Sequence, residues 1–413
     1  MAARIELLAP AGGMEQLKAA LRFGADAVYI GMKDYGLRAY AGNYGYGEVK
    51  EAAAYAHQLG KRLYVTMNIL PFDADMDGFC ACAKSVQNAM ADAVIVSDPG
   101  AALMLREEQP ELPLHISTQA NVLNTRTALH YHEVMGASRI ILSREMSLNA
   151  IRRMRDGLPE TLELEAFAHG AMCVAYSGRC LLSGALTGRS GNRGECAQPC
   201  RWQYHVVEEK RPHEYMPICE DTKGTYLFSA YDLCMLPHLR ELKAARVQCL
   251  KIEGRMKSAY YVATVVSVYR RALDLLELEG EEAYLAALPQ LMADLLKASH
   301  RPFHTGFYFG PPEPPAGADG FQQEMEYVGN ICTDTEAGQE AVVLLKNRFY
   351  AGDSLEALTP EGGKPFIATG MRLAETREAV DTVGIAGTKL FMRFPFAVHE
   401  GDLLRGPNRN HCG

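Results

Sequence analysis

Short apolar, β-branched runs alternate with segments of helical periodicity from Ile5 to Glu253. Each run precedes a stretch in which apolar residues recur about every 3.6 positions, which is typical of repeated strand–helix units and a parallel sheet. Eight runs are predicted as strands: Ile5 to Leu8, Ala27 to Gly31, Leu63 to Asn68, Ala93 to Ser97, Leu114 to Gln119, Arg139 to Ser143, Leu162 to Ala168 and Val247 to Glu253. Helices are predicted over Met14 to Phe23 and over Glu48 to Leu59, where Gly60 is a stop signal.

Eight strand–helix units favour a closed barrel over an open sheet, so the predicted fold class is α/β with a (β/α)8 TIM-like barrel. The seventh unit breaks the period, because about eighty residues separate the runs that end at Ala168 and begin at Val247. This excursion, a cysteine-rich insertion over about residues 170–246, leaves the carboxyl end of strand seven. Active sites of parallel barrels are built at that end.

A second, smaller domain is predicted after the barrel. A last helix is expected from about Ser258 to Leu278, and proline, glycine and acidic residues accumulate between His300 and Gln323. The predicted domains are therefore residues 1–298 and 320–413. Five runs in the second domain alternate with turn residues and predict a small β-barrel. They are Tyr327 to Cys332, Ala341 to Leu345, Ser354 to Leu358, Phe366 to Met371 and Leu390 to Phe394.

Composition adds limits on function and location. The chain has 413 residues, of which 48% are hydrophobic and 22% charged, an ordinary globular profile. The amino terminus lacks the pattern of a secretory signal, and no apolar run is long enough to cross a membrane, so we expect a soluble, cytoplasmic protein without membrane contact. A net charge of -8 argues against a uniformly basic nucleic-acid binder.

Local basic excess nevertheless exists. Residues 169–205 carry four arginines and one acidic residue, and residues 139–155 carry five arginines and one. In the first window we take Arg193 and Arg201 as candidate substrate-binding residues. Solvated helix and loop faces explain such windows equally well on charge alone.

Four of the eleven cysteines lie close together in the predicted excursion. Cys173, Cys180, Cys196 and Cys200 follow the spacing C-x6-C-x15-C-x3-C. Four soft thiolates on a glycine-rich loop can hold either one tetrahedral zinc ion or an iron–sulfur cubane, and spacing alone does not choose between them. Incidental or buried thiols are the simpler alternative.

Polar and charged side chains also gather where predicted strands end. In a barrel these strand ends converge on one mouth, which would offer cations for an acidic small molecule or RNA phosphate, and carboxylates for proton transfer. Taken singly, each residue is more often a structural hydrogen-bonding group. The candidate catalytic residues are Glu165, His169, Lys251, Glu253 and Arg255, and the candidate substrate-binding residues are His115, Gln119 and Asn121.

Motifs of proteases are missing. His132-Glu133 is not continued to H-E-x-x-H, and no serine has a G-x-S-x-G setting. For this reason a peptidase is kept only as an alternative function. A non-catalytic RNA-binding scaffold is a second alternative, in which Trp202 beside Arg201 would stack on an unpaired base, although a core role suits the only tryptophan better.

The stretch that contains Cys173 and Cys180 carries a family resemblance. The string E-x-F-x-x-G-A-M-C-x(6)-C-x-x-S, from Glu165 to Ser183, resembles the signature of the U32 peptidase family. Further matching stretches extend the resemblance over the whole chain: Leu8-Ala-Pro-Ala-Gly, Asp26-Ala-Val-Tyr-Ile-Gly, His115-Ile-Ser-Thr-Gln-Ala-Asn and Leu250-Lys-Ile-Glu-Gly-Arg.

Within that family the chain looks most like the branch that hydroxylates tRNA without oxygen. The features that carry this are the C-x3-C pair followed by Arg201-Trp202, together with Glu220-Asp, Gly224-Thr-Tyr and Asp232-Leu. The resemblance implies a [4Fe-4S] cluster and formation of 5-hydroxyuridine at wobble position 34, with prephenate as a possible co-substrate. The implied partners are the tRNA anticodon arm and a small acidic metabolite, and no stable protein partner is predicted.

The same resemblance implies that Cys173, Cys180, Cys196 and Cys200 are the cluster ligands. Cys219 is a possible alternative fourth ligand, because relatives in ubiquinone synthesis use a cysteine near this place. Exchange between Cys200 and Cys219 stays open, as does the choice between a structural and a catalytic cluster.

Overall fold

The computed structural model describes residues 4–37, 42–172, 178–202, 206–208, 211–216, 231–310 and 322–409. Twelve strands are described before residue 310. In chain order they are β1 (Glu6–Pro10), β2 (Ala27–Gly31), β3 (Arg62–Met67), β4 (Ala93–Val96), β5 (Leu114–Ile116), β6 (Ala137–Ile141), β7 (Glu163–Ala171), β8 (Val206–Glu208), β9 (Arg211–Met216), β10 (Asp232–Cys234), β11 (Cys249–Ile252) and β12 (Phe303–His304).

Strands β1 to β7 and β11 close into a parallel barrel. Each pairs in parallel with the next, and the ring closes because β11 pairs with both β7 and β1. Both faces of these strands are covered, since β2 and β4 are buried along their whole length and consist almost entirely of Ala, Val, Ile and Tyr. The predicted eight-stranded α/β barrel is therefore confirmed.

Helices alternate with the barrel strands. They are α1 (Met14–Arg22), α2 (Tyr46–Gln58), α3 (Met76–Asn88), α4 (Pro99–Glu108), α5 (Thr125–Met135), α6 (Leu148–Asp156), α7 (Leu182–Thr187) and α8 (Leu239–Ala244). Asp98, Asn124 and Ser147 cap α4, α5 and α6 by accepting backbone N–H bonds. Beyond α2, Gly60 takes a left-handed φ of +66°, as its predicted role as a helix stop requires.

The excursion after β7 returns to the sheet before β11. Strand β10 pairs antiparallel with the end of β7, so that Cys234 lies opposite His169, and β12 pairs with β10. Strands β8 and β9 form a separate hairpin. The candidate ligands Cys173 and Cys219 lie outside the described residues, as do Glu220-Asp and Gly224-Thr-Tyr.

Contacts divide the chain into two compact units. The first contains residues 1–17, 25–257 and 301–320, and the second contains residues 18–24, 258–300 and 321–413. Thus α9 (Ala259–Asp274), a π-helical turn over Leu275–Glu279 and α10 (Glu281–Leu296) belong to the second unit. No described helix is both long and apolar enough to span a membrane.

The second unit contains an antiparallel sheet of seven strands. Its strands and the two-stranded ribbon beside them are β13 (Met325–Ile331), β14 (Glu340–Leu345), β15 (Phe349–Tyr350), β16 (Ser354–Thr359), β17 (Gly362–Ile367), β18 (Arg372–Leu373), β19 (Thr382–Val383), β20 (Lys389–Arg393) and β21 (Leu403–Pro407). Alternating burial in β14 sends every second residue into an apolar core. The predicted strand from Phe366 to Met371 begins earlier, at Gly362, because the turn at 360–361 pairs Gly362 with Thr359.

Candidate active site at the carboxyl end of the barrel

A pocket with about 490 Å³ of empty space, part of it open to solvent, lies where the barrel strands end. Most of its polar lining comes from the last residue of a strand or from the loop just after it. This is the end of a parallel barrel at which catalytic groups are assembled. The lining residues are Tyr29, Leu37, Thr66, Asn68, Ile95, Ser117, Thr118, Gln119, Ile141, Arg144, Phe167, Lys251, Glu253 and Arg255.

A buried ion-pair network reaches this pocket from inside the barrel. Arg139, 2% exposed, donates to Glu163 (Nε to Oε2, 2.8 Å), to Glu6 (Nη1 to Oε1, 2.7 Å) and to Glu165 (Nη1 to Oε2, 3.2 Å). The other oxygen of Glu165 accepts from Lys251 Nζ at 2.8 Å. Glu165 is fully buried and shared between two cations, so its own charge is satisfied inside the protein. Lys251, in contrast, lines the pocket.

The surroundings of the network keep nearby groups neutral. Burial lowers the pKa of His115 well below its ordinary value, and the charges of Arg139 and Lys251 act in the same direction. Burial raises the pKa of the Cys249 thiol, and the charge of Glu165 adds to this. His115 packs edge-on against Tyr64, with ring centroids 4.8 Å apart, and lies beside the network rather than among the residues that line the pocket.

Lys251 is further held by aromatic rings. Its Nζ lies 4.3 Å from the ring centroid of Tyr29 and 5.7 Å from that of Phe167. The Tyr29 hydroxyl donates to the carbonyl of Ile252 at 3.0 Å, which fixes that ring against β11. The ammonium group therefore has one carboxylate and two rings as neighbours, and it faces the pocket from a rigid position.

Arg255 is fixed by acceptors from β3 and from the loop that follows β2. Its guanidinium donates to Thr66 Oγ1 at 2.7 Å, to Asn43 Oδ1 at 3.1 Å and to the carbonyl of Leu37. A Cβ at position 31 would lie 2.2 Å from Nη1, so only glycine fits at Gly31 beside this side chain. The glycine that ends the matching stretch Asp26–Gly31 thus makes room for Arg255.

Arg144 is a third cation at the pocket. Its guanidinium carbon lies 3.8 Å from the Phe167 ring centroid, and Nη1 donates to the carbonyl of Ala171 at 2.7 Å. Nη2 lies 3.4 Å from Glu253 Oε2. Gly170, with φ +108°, allows this arrangement, since a Cβ there would lie 2.5 Å from the carbonyl oxygen of Glu253. Sequence reasoning missed Arg144, although the strand-end rule applied to β6 would have identified it.

The other predicted site residues lie in different settings. Gln119 lines the pocket, and its buried Oε1 has no hydrogen-bond partner among the described residues. Asn121 takes a left-handed φ of +52° and accepts from Arg179 Nε at 3.1 Å. His169 is buried, with its ring 5.4 Å from that of Phe303.

The cysteine segment, residues 178–202, packs on the loops that surround this pocket. Gly178, with φ +73°, sits so close to Gln119 that a Cβ would lie 2.6 Å from its carbonyl oxygen. Leu70 N donates to the carbonyl of Asn192 at 3.2 Å, and Gln198 Nε2 lies 3.7 Å from Met256 Sδ. Contacts to loops after β3, β5 and β11 thus position the cysteine segment at the rim of the mouth.

Within that segment, backbone turns present the thiols. Cys196 Sγ accepts from the N–H of Gln198 at 3.4 Å, and Ser183 Oγ accepts from the N–H of Ala197 at 3.0 Å. Cys180, Cys196 and Cys200 are all half-buried. A half-buried thiol that accepts a backbone N–H bond, as Cys196 does, suits soft-metal or cluster ligation, in which such bonds tune the sulfur.

The described thiols do not form a finished metal site by themselves. Among the residues that the structure describes, no three His, Cys, Asp or Glu side chains come together as ligands for one metal ion. The donor set predicted for a cluster includes Cys173, which lies outside those residues. The chemistry and the common segment of Cys180, Cys196 and Cys200 fit such a cluster.

The predicted substrate-binding arginines lie in the same segment. Arg193 pairs with Asp75 (Nη1 to Oδ2, 2.9 Å) and lies over the ring of Phe72 at 5.0 Å. The hydrogen bond from Arg193, together with that from the Phe72 N–H, lowers the pKa of Asp75. The side chain of Arg201 lies outside the described residues.

Taken together, these groups can bind an anion and move a proton. Three cations (Arg144, Lys251 and Arg255) line the pocket, against one lining carboxylate, Glu253. Charge-assisted hydrogen bonds from fixed cations favour a carboxylate or phosphate ligand. Glu253 lies in the pocket wall, where a carboxylate can accept or donate a proton.

Comparison with known proteins gives matches along nearly the whole chain. The model of peptidase family U32 matches residues 12–317, and that of the peptidase family U32 C-terminal domain matches residues 323–405. The chain is 36% identical over 418 aligned positions to tRNA hydroxylation protein P of Escherichia coli K12, covering 90% of this chain and 89% of that protein.

Two further relatives bear different names. The chain is 36% identical to tRNA hydroxylation protein P1 of Bacillus subtilis 168, covering 86% of this chain and 84% of that protein. It is 31% identical to a collagenase of Porphyromonas gingivalis W83, covering 74% of this chain and 73% of that protein.

Proposed function

The chain belongs to peptidase family U32, as its sequence motifs predicted, and we propose that it hydroxylates tRNA, forming 5-hydroxyuridine at the wobble position. The relatives named tRNA hydroxylation proteins, which align over most of both chains, support this reaction class. A cytoplasmic location, where tRNA is modified, is part of the proposal.

The pocket is the observation that carries the proposal. Its cations exceed its carboxylates by two, and Lys251 and Arg255 are each held by several contacts before any ligand arrives. Preorganised cations bind an anion without further ordering of their side chains. A small acidic co-substrate, for which prephenate is the proposed compound, fits this charge and would meet Lys251 and Arg255.

We propose that a [4Fe-4S] cluster is held by Cys173, Cys180, Cys196 and Cys200, with Cys219 as a possible replacement for Cys200. Four thiolate ligands would leave the cluster for electron transfer, whereas three would leave one iron open as a Lewis acid. Either role suits a segment packed at the rim of the pocket, because the thiols are then close to the place where substrate enters.

The tRNA anticodon arm is proposed to approach from the same side. Arg179, Arg189 and Arg193 belong to the cysteine segment at the mouth, and the loops beneath it supply the pocket. Phosphate groups are bound by such local basic surfaces even when the whole protein is acidic. The base to be hydroxylated would then reach the pocket from the rim.

The experiment is expression in a bacterial host that lacks its own tRNA hydroxylation proteins, followed by mass spectrometry of nucleosides from digested tRNA. Wild type and Cys332→Ala should give a nucleoside heavier than uridine by one oxygen atom, whereas Cys196→Ala should not. Cys332 is the matched control, since it is also half-buried but lies after β13. Absence of that nucleoside with well-expressed wild type would contradict the proposal.

The name of the Porphyromonas gingivalis relative makes peptidase activity the second candidate. Wild type and Cys196→Ala are therefore also purified from the same host and incubated with gelatin. Cleavage that survives both iron chelation and Cys196→Ala, without any hydroxylated nucleoside, would favour the peptidase. RNA binding without either product would favour a scaffold.

A further inference from the structure

An exposed aromatic ring lies at the mouth of the barrel beside a fixed arginine. Phe72 is 68% exposed, and it is four residues beyond Asn68, which lines the pocket. Four extended residues span at most about 14 Å, so the two Cα atoms are no farther apart than this. The loop that follows β3 therefore carries an apolar surface close to the pocket opening.

Asp75 bonds both to the backbone of Phe72, which carries this ring, and to the cation next to it. Its Oδ2 accepts from the backbone N–H of Phe72 at 2.8 Å and from Arg193 Nη1 at 2.9 Å, while Oδ1 lies 3.4 Å from Nη2. The bidentate contact with Asp75 holds the guanidinium plane of Arg193 in place. The Cζ atom of Arg193 lies 5.0 Å from the Phe72 ring centroid. The Asp75 carboxylate thus connects Phe72 and Arg193, and the three residues form one bonded group.

The group also joins two different loops. Leu70 N donates to the carbonyl of Asn192, so the loop after β3 and the cysteine segment are bonded two residues before Phe72. Phe72 packs against the Arg193 guanidinium, and with 68% of the residue exposed most of its surface stays open to solvent. The ring and the guanidinium together form a fixed, partly cationic surface that a planar ligand can cover.

We infer that Phe72 and Arg193 form a stacking site for an unpaired nucleobase, one that flanks the base entering the pocket. This inference rests on the proposed function, and it adds where the RNA is held. Aromatic rings and arginine planes are the surfaces on which proteins stack single-stranded bases, and such stacking is tolerant of sequence. The adjacent arginines of the cysteine segment supply the charge for the phosphates.

The test measures the affinity of a labelled anticodon stem-loop RNA by fluorescence anisotropy for the full-length chain and three variants. Phe72→Ala should weaken binding by about 5- to 150-fold, which corresponds to the roughly 1–3 kcal/mol that each stacked base contributes. Phe72→Tyr should bind like wild type, because it keeps a ring. Met90→Ala is the matched control: Met90 is 67% exposed but precedes β4, at the opposite end of the barrel.

A fully paired RNA duplex of the same length separates stacking from charge. The ratio of affinities between wild type and Phe72→Ala should be large for the stem-loop and close to one for the duplex. Equal stem-loop affinities for wild type and Phe72→Ala, or an equal loss with the duplex, would overturn the stacking site. No stem-loop binding by wild type would overturn it as well.

Failure of the stacking site and failure of the proposed function give different results. If Phe72→Ala binds the stem-loop normally while wild type still produces hydroxylated tRNA, only the stacking site is wrong. If Phe72→Ala loses stem-loop affinity but wild type produces no hydroxylated nucleoside, the RNA site stands and the reaction is wrong.

Discussion

Two groups of side chains at the barrel differ in their burial and in their hydrogen bonding within the fold. The network of Glu6, Arg139, Glu165 and Lys251 is buried, and its carboxylates are bonded on both oxygens or by several donors. Cys180, Cys196 and Cys200 in the cysteine segment are only half-buried, and the Cys196 thiol accepts from the backbone N–H of Gln198. The first group costs the protein stability when it is disturbed, whereas the second is available for chemistry, so substitutions in the two should separate folding from activity.

The largest expected effect lies in the network. Glu165→Ala would leave Arg139 and Lys251 buried without their shared carboxylate, and we expect the free energy of unfolding to fall by about 3–5 kcal/mol. Urea denaturation followed by circular dichroism measures this. Glu163→Ala is the control, because its side chain is 42% exposed and its charge can be solvated. A loss for Glu165→Ala no larger than that of the control would contradict the comparison.

A substitution at Lys251, the member of the network that lines the pocket, should lower activity with a smaller loss of stability than Glu165→Ala. Lys251→Met keeps the volume and leaves Glu165 paired with Arg139, but it removes a cation from the pocket. Loss of a charged hydrogen bond to substrate costs about 1.5–3 kcal/mol, so the rate of tRNA hydroxylation should fall by roughly 10- to 150-fold. The rate is measured with purified protein, and the urea midpoint serves as the folding control. Unchanged hydroxylation by Lys251→Met would remove this residue from the active site.

The smallest expected effect is a dependence of stability on pH. Burial, with Arg139 and Lys251, lowers the pKa of His115 below its ordinary 6.5, so the folded protein holds it neutral. The unfolded chain takes up a proton below about pH 6.5, and the free energy of unfolding should therefore decrease as the pH falls, by up to about 1.4 kcal/mol per pH unit. The loss continues until the lower folded pKa is reached.

His115→Gln should remove that part of the pH dependence. Urea titrations of wild type and variant at about pH 7 and about pH 5.5 give the difference directly, since other titrating groups are common to both. An identical change in both proteins would show that His115 does not titrate as its burial requires.

Sequence patterns predicted the barrel well because its strands are buried on both faces and read as apolar runs. Strands β10 and β12 were not predicted, since two or three residues with long-range partners leave no periodic signal. Helix α10 was not predicted either, and Pro289 within it weakens its helical pattern. The local sequence pattern thus predicted the repeated strand–helix units and missed the short strands β10 and β12 and the helix α10.

The candidate site was predicted as a set of strand ends, without its internal order. Glu165 and Lys251 are bonded to each other, but only Lys251 lines the pocket, and His115 lies beside the network. Which residue of a strand points into the barrel at which height depends on register, and register comes from pairing with neighbouring strands. The partnership of Arg193 with Asp75 joins residues 118 positions apart, which no local motif encodes.

The metal content of the anaerobically purified protein tests the proposed cluster most directly. Iron, zinc and acid-labile sulfide are measured together with the visible spectrum for wild type, Cys196→Ala and the control Cys332→Ala. We expect about four irons and four sulfides per chain in wild type and in the control, and their loss in Cys196→Ala. Zinc in place of iron, or a folded wild-type protein without metal, would contradict the proposed cluster.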